Sequence, residues 1–500
     1  MNSLNNILDS LLIKKIEGFD NFDVKGITYN SRNVKPGYIF ACLPGTRVHG
    51  SEFISQAVDR GAGAILTDRW DTEEVEGVVK VVVPEVREAL AVIASKYYGF
   101  PSNKLRLIGI TGTNGKTTTA HLIDALLEGS GKKTGLVGTV TYKLGEKTLP
   151  VLATTPESPD LQNIFSYLVA ENVSHVSMEV SSHALDLKRV SGCDFDIGVL
   201  TNISDDHLDF HHTFDRYLQA KGKLFSWLGT LPEKGGRPKA AVINRDDSNF
   251  KYIYNQAGVQ KVTYGIKYKA DVRAKNIDIK DTGVSFYVES PWGEGDINLK
   301  LTGLFSVYNA LAALTVAFIE GLRWEVSKKI LENISGIPGR FEKIEIGQDF
   351  TVIVDYAHTP DGLDNVLQTI KEFASGRIIT VFGCGGDRDR AKRAPMGKVA
   401  GKFSDYCFLT TDNPRTESPE KIFQDVEPGL LINKKAEEFE ICRDRREAIS
   451  RAIHMAEAGD IVLIAGKGHE NYQIFKDRTM TFDDREVARK ILEGKLQRER

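Results

Sequence analysis

The sequence has 500 residues, which at about 150 residues per domain predicts roughly three domains. Lysine and arginine number 65 against 68 aspartates and glutamates, so the net charge of −3 excludes a general attraction to nucleic acid or to an anionic membrane. The composition, 41% hydrophobic and 27% charged, is typical of a folded globular protein and excludes disorder as the main state.

The sequence shows neither a membrane span nor a secretion signal. It has no run of about 18 apolar residues, and its N-terminus lacks the basic start and apolar core of a signal peptide. Its 5 cysteines are scattered and form no Cys-x-x-Cys pair. We therefore expect a cytoplasmic protein whose thiols are reduced and mostly buried.

The N-terminal segment, residues 1–102, predicts a smaller α/β domain. Apolar residues from Leu4 to Leu12 recur at helical spacing and predict a short amphipathic helix. Short apolar runs broken by glycine and proline predict strands at 38–42, 64–67 and 78–83. A helical run at 86–98 ends just before Pro101, where we place the first boundary.

The central segment, residues 103–336, predicts a parallel sheet like that of P-loop ATPases. An apolar run at 105–110 leads into a glycine-rich turn and a helical pattern through Leu127, which is how a βαβ unit begins. Strand-like runs at 175–180, 195–203 and 239–243 recur with helical segments between most of them. Residues 262–302 read as short alternating strands, which predicts a small antiparallel addition.

The C-terminal segment, residues 337–500, follows a turn-forming run and predicts a Rossmann-like sheet. Four apolar runs, at 351–355, 377–383, 406–411 and 461–466, end in polar or glycine-rich tips. Ligands of open α/β sheets bind at such carboxyl ends, so we expect the chemistry of this domain there. The predicted fold class is therefore α/β with three domains.

The turn after the first central strand has the chemistry of a phosphate-binding loop, and we call residues 109–118 the nucleotide loop. Lys116 can reach the β and γ phosphates, and the Thr117 hydroxyl can ligate Mg²⁺. The general G-x-x-x-x-G-K-[ST] pattern needs glycine where this chain has Ile110, so the strict pattern fails by one position. The strand–turn–helix context still favours ATP binding over a surface turn. The expected ATP contacts in the loop are Gly112, Thr113, Asn114, Gly115, Lys116, Thr117 and Thr118.

Three segments in order resemble the Mur ligase family. They are 111–118 (TGTNGKTT), 179–183 (EVSSH) and 201–209 (TNISDDHLD). Further matches at 307–310, 339–342 and 355–358 extend the likeness across nearly the whole chain and add ATP contacts at Asn309, Arg340, Asp355 and His358. Segments 383–390, 412–415 and 466–470 are similar to those of family members that add the third peptide residue, in the Asn-Pro-Arg form of the enzymes that add meso-diaminopimelate.

The resemblance implies an ATP-dependent amide ligation. The carboxylate of UDP-N-acetylmuramoyl-L-alanyl-D-glutamate would attack the γ-phosphate of ATP, and the amine of meso-2,6-diaminopimelate would attack the resulting acyl phosphate. A carboxylate is a poor acylating agent, and phosphorylation supplies a leaving group while Mg²⁺ and cations offset the negative charge. This is a step of cytoplasmic peptidoglycan precursor synthesis. The implied partners are small molecules, with no nucleic acid or membrane insertion, and we expect a monomer.

The resemblance also implies catalytic roles. Lys116 would hold the β,γ-phosphates, Thr117 and Glu179 would ligate one Mg²⁺, and His207 would help to ligate a second. In the family, the lysine at the place of Lys221 is carbamylated, which turns a cation into a hard anionic ligand for Mg²⁺. The alternatives are a surface strand end for Glu179, a capping or salt-bridged histidine for His207, and a surface helix lysine for Lys221.

The substrate positions follow from the same resemblance. Ser31 and the loop at 45–50 are similar to uridine-diphosphate-binding positions, although the loop departs from some relatives at Thr46, Arg47 and Val48. Leu187 stands where some relatives have glutamine. The residues that match positions holding the muramoyl-dipeptide are Thr154, Thr155, Ser181 and Arg189.

The third domain carries the positions that the resemblance assigns to the incoming amino acid, and we call this set the amino-acid site. Meso-diaminopimelate differs from lysine by a carboxylate at its far end. A guanidinium binds a carboxylate through two hydrogen bonds, so Arg415 is expected to select it and Glu470 to hold the distal ammonium. The alternative for Arg415 is a surface ion pair. The amino-acid site comprises Arg388, Asp412, Asn413, Pro414, Arg415, Gly466 and Glu470.

The sequence leaves several other functions possible. Inside the family these are the L-lysine-adding ligase, the ligase that adds the terminal dipeptide, and folylpolyglutamate synthetase. Arg415 argues against lysine, and the UDP-site-like first domain argues against folate. Outside the family, a P-loop nucleotide switch without ligase activity predicts slow ATP hydrolysis that is indifferent to amino acids. A small-molecule kinase would release a phosphorylated product instead.

Overall fold

Three large sheets follow one another along the chain, each built from strands that are close in sequence. The computed structural model describes residues 2–18, 20–45, 48–71, 76–149, 151 and 153–499. Strands between residues 15 and 82 form a five-stranded sheet, those between 106 and 299 an eleven-stranded sheet, and those between 342 and 465 a six-stranded sheet. Each sheet packs buried apolar clusters on both faces, and the predicted α/β fold class is confirmed.

The N-terminal sheet has the order β1-β5-β4-β3-β2, with the edge strand β1 antiparallel to β5. Its elements are α1 (Leu4–Leu8), β1 (Lys15–Glu17), β2 (Gly26–Thr28), β3 (Tyr38–Ala41), α2 (Ile54–Asp59), β4 (Ala62–Thr67), β5 (Val79–Val82) and α3 (Val86–Tyr97), with 3-10 turns at Ser31–Asn33, Gly50–Phe53 and Pro101–Lys104. The three predicted strands are therefore confirmed as β3, β4 and β5. The Glu85 carboxylate caps α3 by accepting from the backbone N–H groups of Arg87 and Glu88.

The central sheet has the order β16-β15-β14-β13-β12-β11-β6-β10-β7-β8-β9. Its elements are β6 (Arg106–Thr111), α4 (Lys116–Gly129), β7 (Thr134–Val137), β8 (Tyr142–Leu144), β9 (Lys147–Leu149), α5 (Ser158–Ala170), β10 (His175–Glu179), α6 (Ser182–Asp186), β11 (Ile197–Leu200), α7 (Leu208–His211), α8 (Phe214–Trp227), β12 (Ala240–Asn244), α9 (Phe250–Gln256), β13 (Gln260–Gly265), β14 (Val272–Lys280), β15 (Gly283–Glu289), β16 (Gly295–Leu299), α10 (Leu304–Ile319) and α11 (Trp324–Asn333). Strand β6, which leads into the nucleotide loop, lies between its parallel neighbours β10 and β11.

The prediction of a small antiparallel addition at 262–302 was wrong for β13. This strand pairs in parallel with β12, because α9 crosses over the sheet between the two strands. It also pairs in parallel with the start of β14, at Tyr264 and Gly265. Within this segment the antiparallel pairs are β14–β15 and β15–β16, as predicted. The segment therefore extends the central sheet at one edge.

The third sheet has the order β17-β18-β22-β19-β20-β21. Its unit contains β17 (Glu342–Lys343), β18 (Thr351–Asp355), α12 (Pro360–Phe373), β19 (Ile378–Phe382), α13 (Arg393–Phe403), β20 (Tyr406–Thr410), α14 (Pro419–Leu430), β21 (Phe439–Cys442), α15 (Arg445–Met455), β22 (Ile461–Ala465), β23 (Tyr472–Ile474), β24 (Thr479–Thr481) and α16 (Asp484–Glu499), with a 3-10 turn at Ala436–Glu438. The four predicted apolar runs are the adjacent parallel strands β18, β22, β19 and β20. Their carboxyl ends therefore lie at one edge of the sheet.

Two general expectations can be compared with the structure. All five cysteines are free thiols; four are buried and Cys193 is half-buried, as predicted. Within the described part of the chain, no helix is both long enough and apolar enough to cross a bilayer.

Candidate active site

Two glycines give the nucleotide loop its shape. A Cβ on Gly112 would lie 1.8 Å from Thr201 Oγ1, and one on Gly115 would lie 2.4 Å from Asn309 Oδ1. Gly115 also has a φ of 84°, a backbone angle that residues other than glycine rarely adopt. Ile110, which departs from the general pattern, is fully buried within β6. Position 110 therefore belongs to the strand here and needs no glycine.

The loop is held by the segment that follows β11. The backbone N–H groups of Thr113 and Asn114 donate to the backbone oxygen and the Oδ1 of Asn202, at 2.8 and 3.0 Å. Thr201 Oγ1 donates to the Asn114 carbonyl at 2.7 Å. The Lys116 ammonium folds back over the loop and donates to the carbonyls of Gly112 and Thr113 at 2.9 and 2.8 Å. The segments 111–118 and 201–209 thus form one structure.

Glu179 and Thr117 form the oxygen-rich part of the site. The Thr117 hydroxyl donates to Glu179 Oε2 at 3.1 Å, and the Arg340 guanidinium donates to the Thr117 hydroxyl at 2.8 Å. The other Glu179 oxygen accepts from the Thr139 backbone N–H at 2.7 Å. Glu179 is 1% exposed, so the alternative of a surface strand end is wrong.

The Thr117 hydroxyl and the Glu179 carboxylate could supply the protein ligands of a magnesium ion. Among the described residues, no group of three or more His, Cys, Asp or Glu side chains is spaced to hold a metal ion alone. Mg²⁺ commonly takes one or two protein oxygens, keeps several waters and completes its shell with substrate phosphates. The Thr117 hydroxyl and the Glu179 carboxylate beside a phosphate loop match that donor set.

Lys221 is buried beneath the nucleotide loop. Its side chain is 1% exposed, its Nζ donates to the Gly112 carbonyl at 2.7 Å, and it lies 4.5 Å from the centre of the Tyr217 ring. The alternative of a surface helix lysine is therefore wrong. Burial, reinforced by the nearby Lys116, lowers the pKa of Lys221 well below its usual value. A lowered pKa favours the neutral amine, which is the nucleophilic form of lysine.

His207 lies at the edge of the same group. It has a φ of 56°, and its Nε2 lies 3.4 Å from Asp206 Oδ2. Its ring centre is 4.7 Å from that of His183. Burial lowers the pKa of His207 to about 3, although Asp206 opposes the shift, so the ring is neutral at pH 7 and able to bind a metal. The side chain makes no capping hydrogen bond to α7, which excludes the capping alternative, but the Asp206 contact is present.

The other expected ATP contacts lie around the loop. Asn309 accepts from the Thr119 hydroxyl at 3.2 Å. The Asp355 carboxylate accepts from two backbone N–H groups at 2.7 Å, and burial raises its pKa. The His358 ring contacts the Tyr356 carbonyl at 2.8 Å, and burial lowers its pKa to about 4. A cavity of about 560 Å³, lined in part by Thr118 and Arg340, opens beside the loop.

Four of the five sugar-peptide positions lie together. The Thr155 hydroxyl donates to the Glu179 carbonyl at 2.9 Å and accepts from the Ser181 backbone N–H at 3.1 Å. Arg189 donates to the Thr155 carbonyl at 3.1 Å, and Thr154 accepts from the Thr139 hydroxyl at 3.1 Å. These side chains adjoin the Thr117–Glu179 pair through the Glu179 carbonyl.

The fifth position, Ser31, lies in the N-terminal unit and donates to Gln56 Oε1 at 2.6 Å. Thr46 and Arg47 lie outside the described residues, so only Val48 of that triplet is described; it is 40% exposed. Leu187 is the C-cap of α6.

The amino-acid site is assembled from three strand ends. Arg388 follows β19, residues 412–415 follow β20, and Gly466 and Glu470 follow β22. Asn413 Nδ2 donates to Glu470 Oε2 at 2.9 Å, which joins two of these ends. The end of β19 is joined to the end of β20 by the Gly386 backbone N–H, which donates to the Asn413 carbonyl at 2.9 Å. The Pro414 carbonyl lies so close to Gly386 that a Cβ there would clash with it.

The two arginines of this site have no carboxylate within ion-pair distance in the described part of the chain. Arg415, with a φ of 54°, donates to the Gly386 carbonyl at 2.8 Å, and Arg388 donates to the Asp387 carbonyl at 3.3 Å. The alternative of a surface ion pair for Arg415 is therefore wrong. Burial, and then the neighbouring Arg388, lower the pKa of Arg415, which is expected of a cation awaiting an anion.

Sequence reasoning missed several side chains that shape the site. Asp361, at the start of α12, accepts from Asn114 Nδ2 at 2.6 Å and from Ser204 Oγ at 2.9 Å, which links the third unit to the nucleotide loop. Lys467 lies inside the segment 466–470 but was given no role; its place between Gly466 and Glu470 was the usable signal. Thr139, which holds Glu179, lies in no motif, so no sequence signal identified it.

Sequence similarity to known proteins extends over nearly the whole chain. The Mur ligase family catalytic domain matches residues 23–98, the Mur ligase middle domain residues 110–317, and the Mur ligase glutamate ligase domain residues 339–468. The UDP-N-acetylmuramoyl-L-alanyl-D-glutamate–2,6-diaminopimelate ligase of Syntrophomonas wolfei is 45% identical over 98% of this chain and 99% of its own length. The protein of the same name from Caldanaerobacter subterraneus is 46% identical over 96% of both.

Solved structures are similar over the same length. A structure of a UDP-N-acetylmuramoyl-L-alanyl-D-glutamate–2,6-diaminopimelate ligase has a TM-score of 0.67 at 34% identity and covers 98% of this chain and 99% of its own. The MurF ligase of Thermotoga maritima in complex with ADP has a TM-score of 0.64 at 18% identity, over 95% of this chain and 99% of its own, which is a likeness of fold.

Proposed function

Because this chain belongs to the Mur ligase family, we propose that it joins meso-2,6-diaminopimelate to UDP-N-acetylmuramoyl-L-alanyl-D-glutamate at the expense of ATP. It is an ATP-dependent ligase of the kind that forms an amide between an acid and an amino acid. The observation that carries the proposal is the set of full-length relatives named for this reaction. The residue roles below are inferred from the contacts described above.

We propose that the chain works as three units, residues 1–102, 103–336 and 337–500. Ser31 of the first unit would bind the uridine-diphosphate end of the substrate. Thr154, Thr155, Ser181 and Arg189 would bind its peptide, which brings the D-glutamyl carboxylate to the Glu179 side of the nucleotide loop. The contacts from Thr155 to both Glu179 and Ser181 support this placement of the D-glutamyl carboxylate.

The nucleotide loop would bind the phosphates of ATP. Its glycines allow backbone N–H groups to face phosphate oxygens at the start of α4, and the Lys116 ammonium would leave its carbonyl partners for the phosphates. The adjoining cavity, which Thr118 and Arg340 help to line, would take the base and ribose. Asn309, Asp355 and His358 would contact the nucleotide from outside that cavity. The D-glutamyl carboxylate then attacks the γ-phosphorus, ADP leaves, and an acyl phosphate remains.

Magnesium would be held by Thr117 and Glu179 and, in a second site, by His207 and Lys221 as its carbamate. Bound there, Mg²⁺ offsets the charge of the phosphates as the new bond forms. The low pKa of Lys221 supports carbamylation, because only the neutral amine attacks CO₂; the N–C bond forms and the amine loses a proton. The carbamate then offers anionic oxygens in place of a buried amine.

The amino-acid site would receive meso-diaminopimelate through its unpaired arginines. The reacting amine of meso-diaminopimelate attacks the acyl carbon, phosphate leaves, and the amide forms with loss of a proton. The bridge from Asp361 to Asn114 supports a third unit that moves with the nucleotide loop and shields the acyl phosphate from water. Substrates of this kind are cytoplasmic, so we place the reaction in the cytoplasm. We also expect the protein to be a monomer.

The test is phosphate release by the purified protein with Mg-ATP and the UDP-linked dipeptide, with meso-diaminopimelate or L-lysine added in parallel and the product mass recorded. We expect phosphate release and a tripeptide mass with diaminopimelate alone. Activity with lysine alone would reject the assigned amino acid. Phosphate release that is indifferent to both amino acids would point to a switch or a kinase.

A further inference from the structure

One carboxylate joins the N-terminal and central units beside the positions expected to bind the substrate peptide. Glu157 lies two residues after Thr155, and both of its oxygens accept from Arg87 Nη1, at 2.9 and 3.1 Å. Its Oε1 also lies 2.9 Å from Arg189 Nε, where the geometry is that of an ion pair and not of a hydrogen bond. Glu157 therefore lies between an arginine of the first unit and an arginine of the peptide-binding set.

The Glu157 side chain does not stabilise its own helix. Glu157 is the N-cap residue of α5, but its carboxylate makes no capping hydrogen bond. The N-cap carboxylate of α3, that of Glu85, accepts by contrast from two backbone N–H groups of its helix. The Glu157 side chain is 15% exposed and turns towards the two arginines instead. Among the described residues, its contacts thus serve the junction of the two units and not the helix.

Arg87 makes a further contact with the loop at 45–50, which is expected to bind uridine diphosphate. Its Nη2 donates to the Pro44 carbonyl at 3.1 Å. Pro44 directly precedes the loop, and the Gly50 backbone N–H donates to the Leu43 carbonyl at 2.9 Å, so Pro44 lies at the closed base of the loop. Arg87 therefore holds the base of this loop and, through the shared carboxylate, the peptide-binding arginine.

The Arg189 guanidinium is held on two sides and keeps one nitrogen for a ligand. Its Nη1 donates to the Thr155 carbonyl at 3.1 Å, and its Nε faces Glu157. In the described part of the chain, its Nη2 has no acceptor. A side chain that is already held loses less conformational freedom when a ligand binds, so its remaining donor binds a substrate oxygen more tightly. Glu157 thus prepares Arg189 for the substrate.

We propose that Arg87 is a positioning residue, which holds the loop for uridine diphosphate and the arginine for the peptide at a fixed spacing through Pro44 and Glu157. The proposal rests on the proposed function, because it concerns how the UDP-linked dipeptide is bound. The two ends of that substrate are held by different units. Both ends bind at once only when the spacing of those units matches the length of the substrate.

Two other contacts join the same units and allow a comparison. The Tyr29 hydroxyl donates to Asp160 Oδ2 at 2.7 Å, and Lys188 Nζ donates to Glu88 Oε2 at 3.1 Å. The lysine and glutamate of the second contact are 32% and 54% exposed, and neither belongs to the loop or to the peptide-binding set. Glu88→Gln therefore removes an ion pair between the units and leaves the substrate positions intact, which makes it the matched control.

The experiment compares Arg87→Gln, Glu157→Gln and Glu88→Gln with the wild-type enzyme. Titration calorimetry measures the Kd of the UDP-linked dipeptide and of UDP-N-acetylmuramate, which is the same molecule without its dipeptide. The KM values for ATP and diaminopimelate and the thermal unfolding curve are recorded for each protein.

We expect Arg87→Gln to weaken binding of the UDP-linked dipeptide about tenfold or more and that of UDP-N-acetylmuramate about fivefold, because both contacts are lost. Glu157→Gln should weaken only the UDP-linked dipeptide, about tenfold, since the contact of Arg87 with Pro44 remains. Glu88→Gln should change neither Kd. The KM values for ATP and diaminopimelate should change little in all three variants, because neither substrate meets this junction.

The opposite results are equally defined. An unchanged Kd of the UDP-linked dipeptide in a folded Arg87→Gln protein would overturn the proposal, and so would an equal loss in Glu88→Gln. If Arg87→Gln does not fold, Arg87→Lys replaces it: one ammonium cannot reproduce the separate donors of a guanidinium, so at least one Kd should rise, and two unchanged values would overturn the proposal. A wild-type protein that does not bind the UDP-linked dipeptide would instead reject the proposed function, and this inference with it.

Discussion

The nucleotide loop and the amino-acid site are built in different ways. The loop is one run of ten residues that covers the end of β6, the turn and the start of α4, held by a second short segment after β11. The amino-acid site takes its residues from three strand ends that are spread over residues 388–470 and meet only because β22 inserts between β18 and β19. A local motif therefore predicts the nucleotide loop from the sequence, whereas the amino-acid site depends on the topology of the sheet.

This difference predicts that substitutions in the loop reduce the chemical step, while those in the amino-acid site change the choice and binding of one substrate. The largest expected effect is that of Lys116→Met. Loss of the ammonium that faces the phosphates should lower kcat by about 100- to 1000-fold. The exposed Lys104→Met is the matched control. Steady-state kinetics check both, and a loss confined to KM would contradict the assigned role.

Lys221→Met should have the next largest effect, about 100-fold on kcat, because the buried amine would no longer form a carbamate beside the loop. Lys223→Met on the same helix is the control, since Lys223 is partly exposed and pairs with Asp186 at 2.7 Å. Depletion of CO₂ should lower wild-type activity, and bicarbonate should restore it. Intact mass spectrometry and kinetics provide the readouts; equal activity of Lys221→Met and Lys223→Met would remove Lys221 from the site.

Arg415→Ala tests the other side of the comparison. We expect a loss of about 1.5–3 kcal/mol in diaminopimelate binding, since a charged hydrogen-bonding partner is removed. The KM for ATP should stay the same. Arg390→Ala, on an exposed arginine paired with Asp425, is the control. An unchanged KM for diaminopimelate would exclude Arg415 from the site.

Gly115→Ala measures how tightly the loop is packed. Both Gly115 (φ 84°) and Gly131 (φ 89°) have left-handed backbones, but only a Cβ at position 115 meets a neighbour, Asn309. Each alanine should cost about 1–2 kcal/mol for its backbone conformation. Gly115→Ala should lose about 1–3 kcal/mol more through the clash. The free energy of unfolding in urea checks this, and equal losses would show that the loop yields easily.

The smallest expected effect concerns pH. Burial lowers the pKa of His358 to about 4 from a usual 6.5, so the folded protein keeps this ring neutral where the unfolded chain takes up a proton. Stability should therefore be unaffected by this group above pH 6.5 and should fall as the pH drops from 6.5 towards 4. His358→Gln should flatten that part of the curve, and the exposed His454→Gln should not. Urea unfolding across this pH range is the measurement.

Much of the fold could be predicted because parallel strands that are buried on both faces form continuous apolar runs. The four strands at the carboxyl-end site were all identified in this way. In the C-terminal unit, β17, β21, β23 and β24 were missed; they are short edge strands or a small hairpin, so their patterns are weak. The strands β1, β2, β7, β8 and β9 of the other two units, each of three or four residues, were missed as well. The pairing of β13 was mistaken because alternation alone does not distinguish an antiparallel strand from a parallel one.

The sequence by itself determined the nucleotide loop and the order of the motifs, because phosphate recognition needs consecutive backbone groups and a helix start. Only the tertiary structure decided which side chains are buried: Lys221 reads as a surface lysine but lies 2.7 Å from the Gly112 carbonyl, and Lys467 lies fully buried among Asp412, Asn413 and Glu470. Burial and charge balance depend on residues that are far apart in the chain. No local pattern encodes them, and so the electrostatics of both sites emerge only when the sheets bring those residues together.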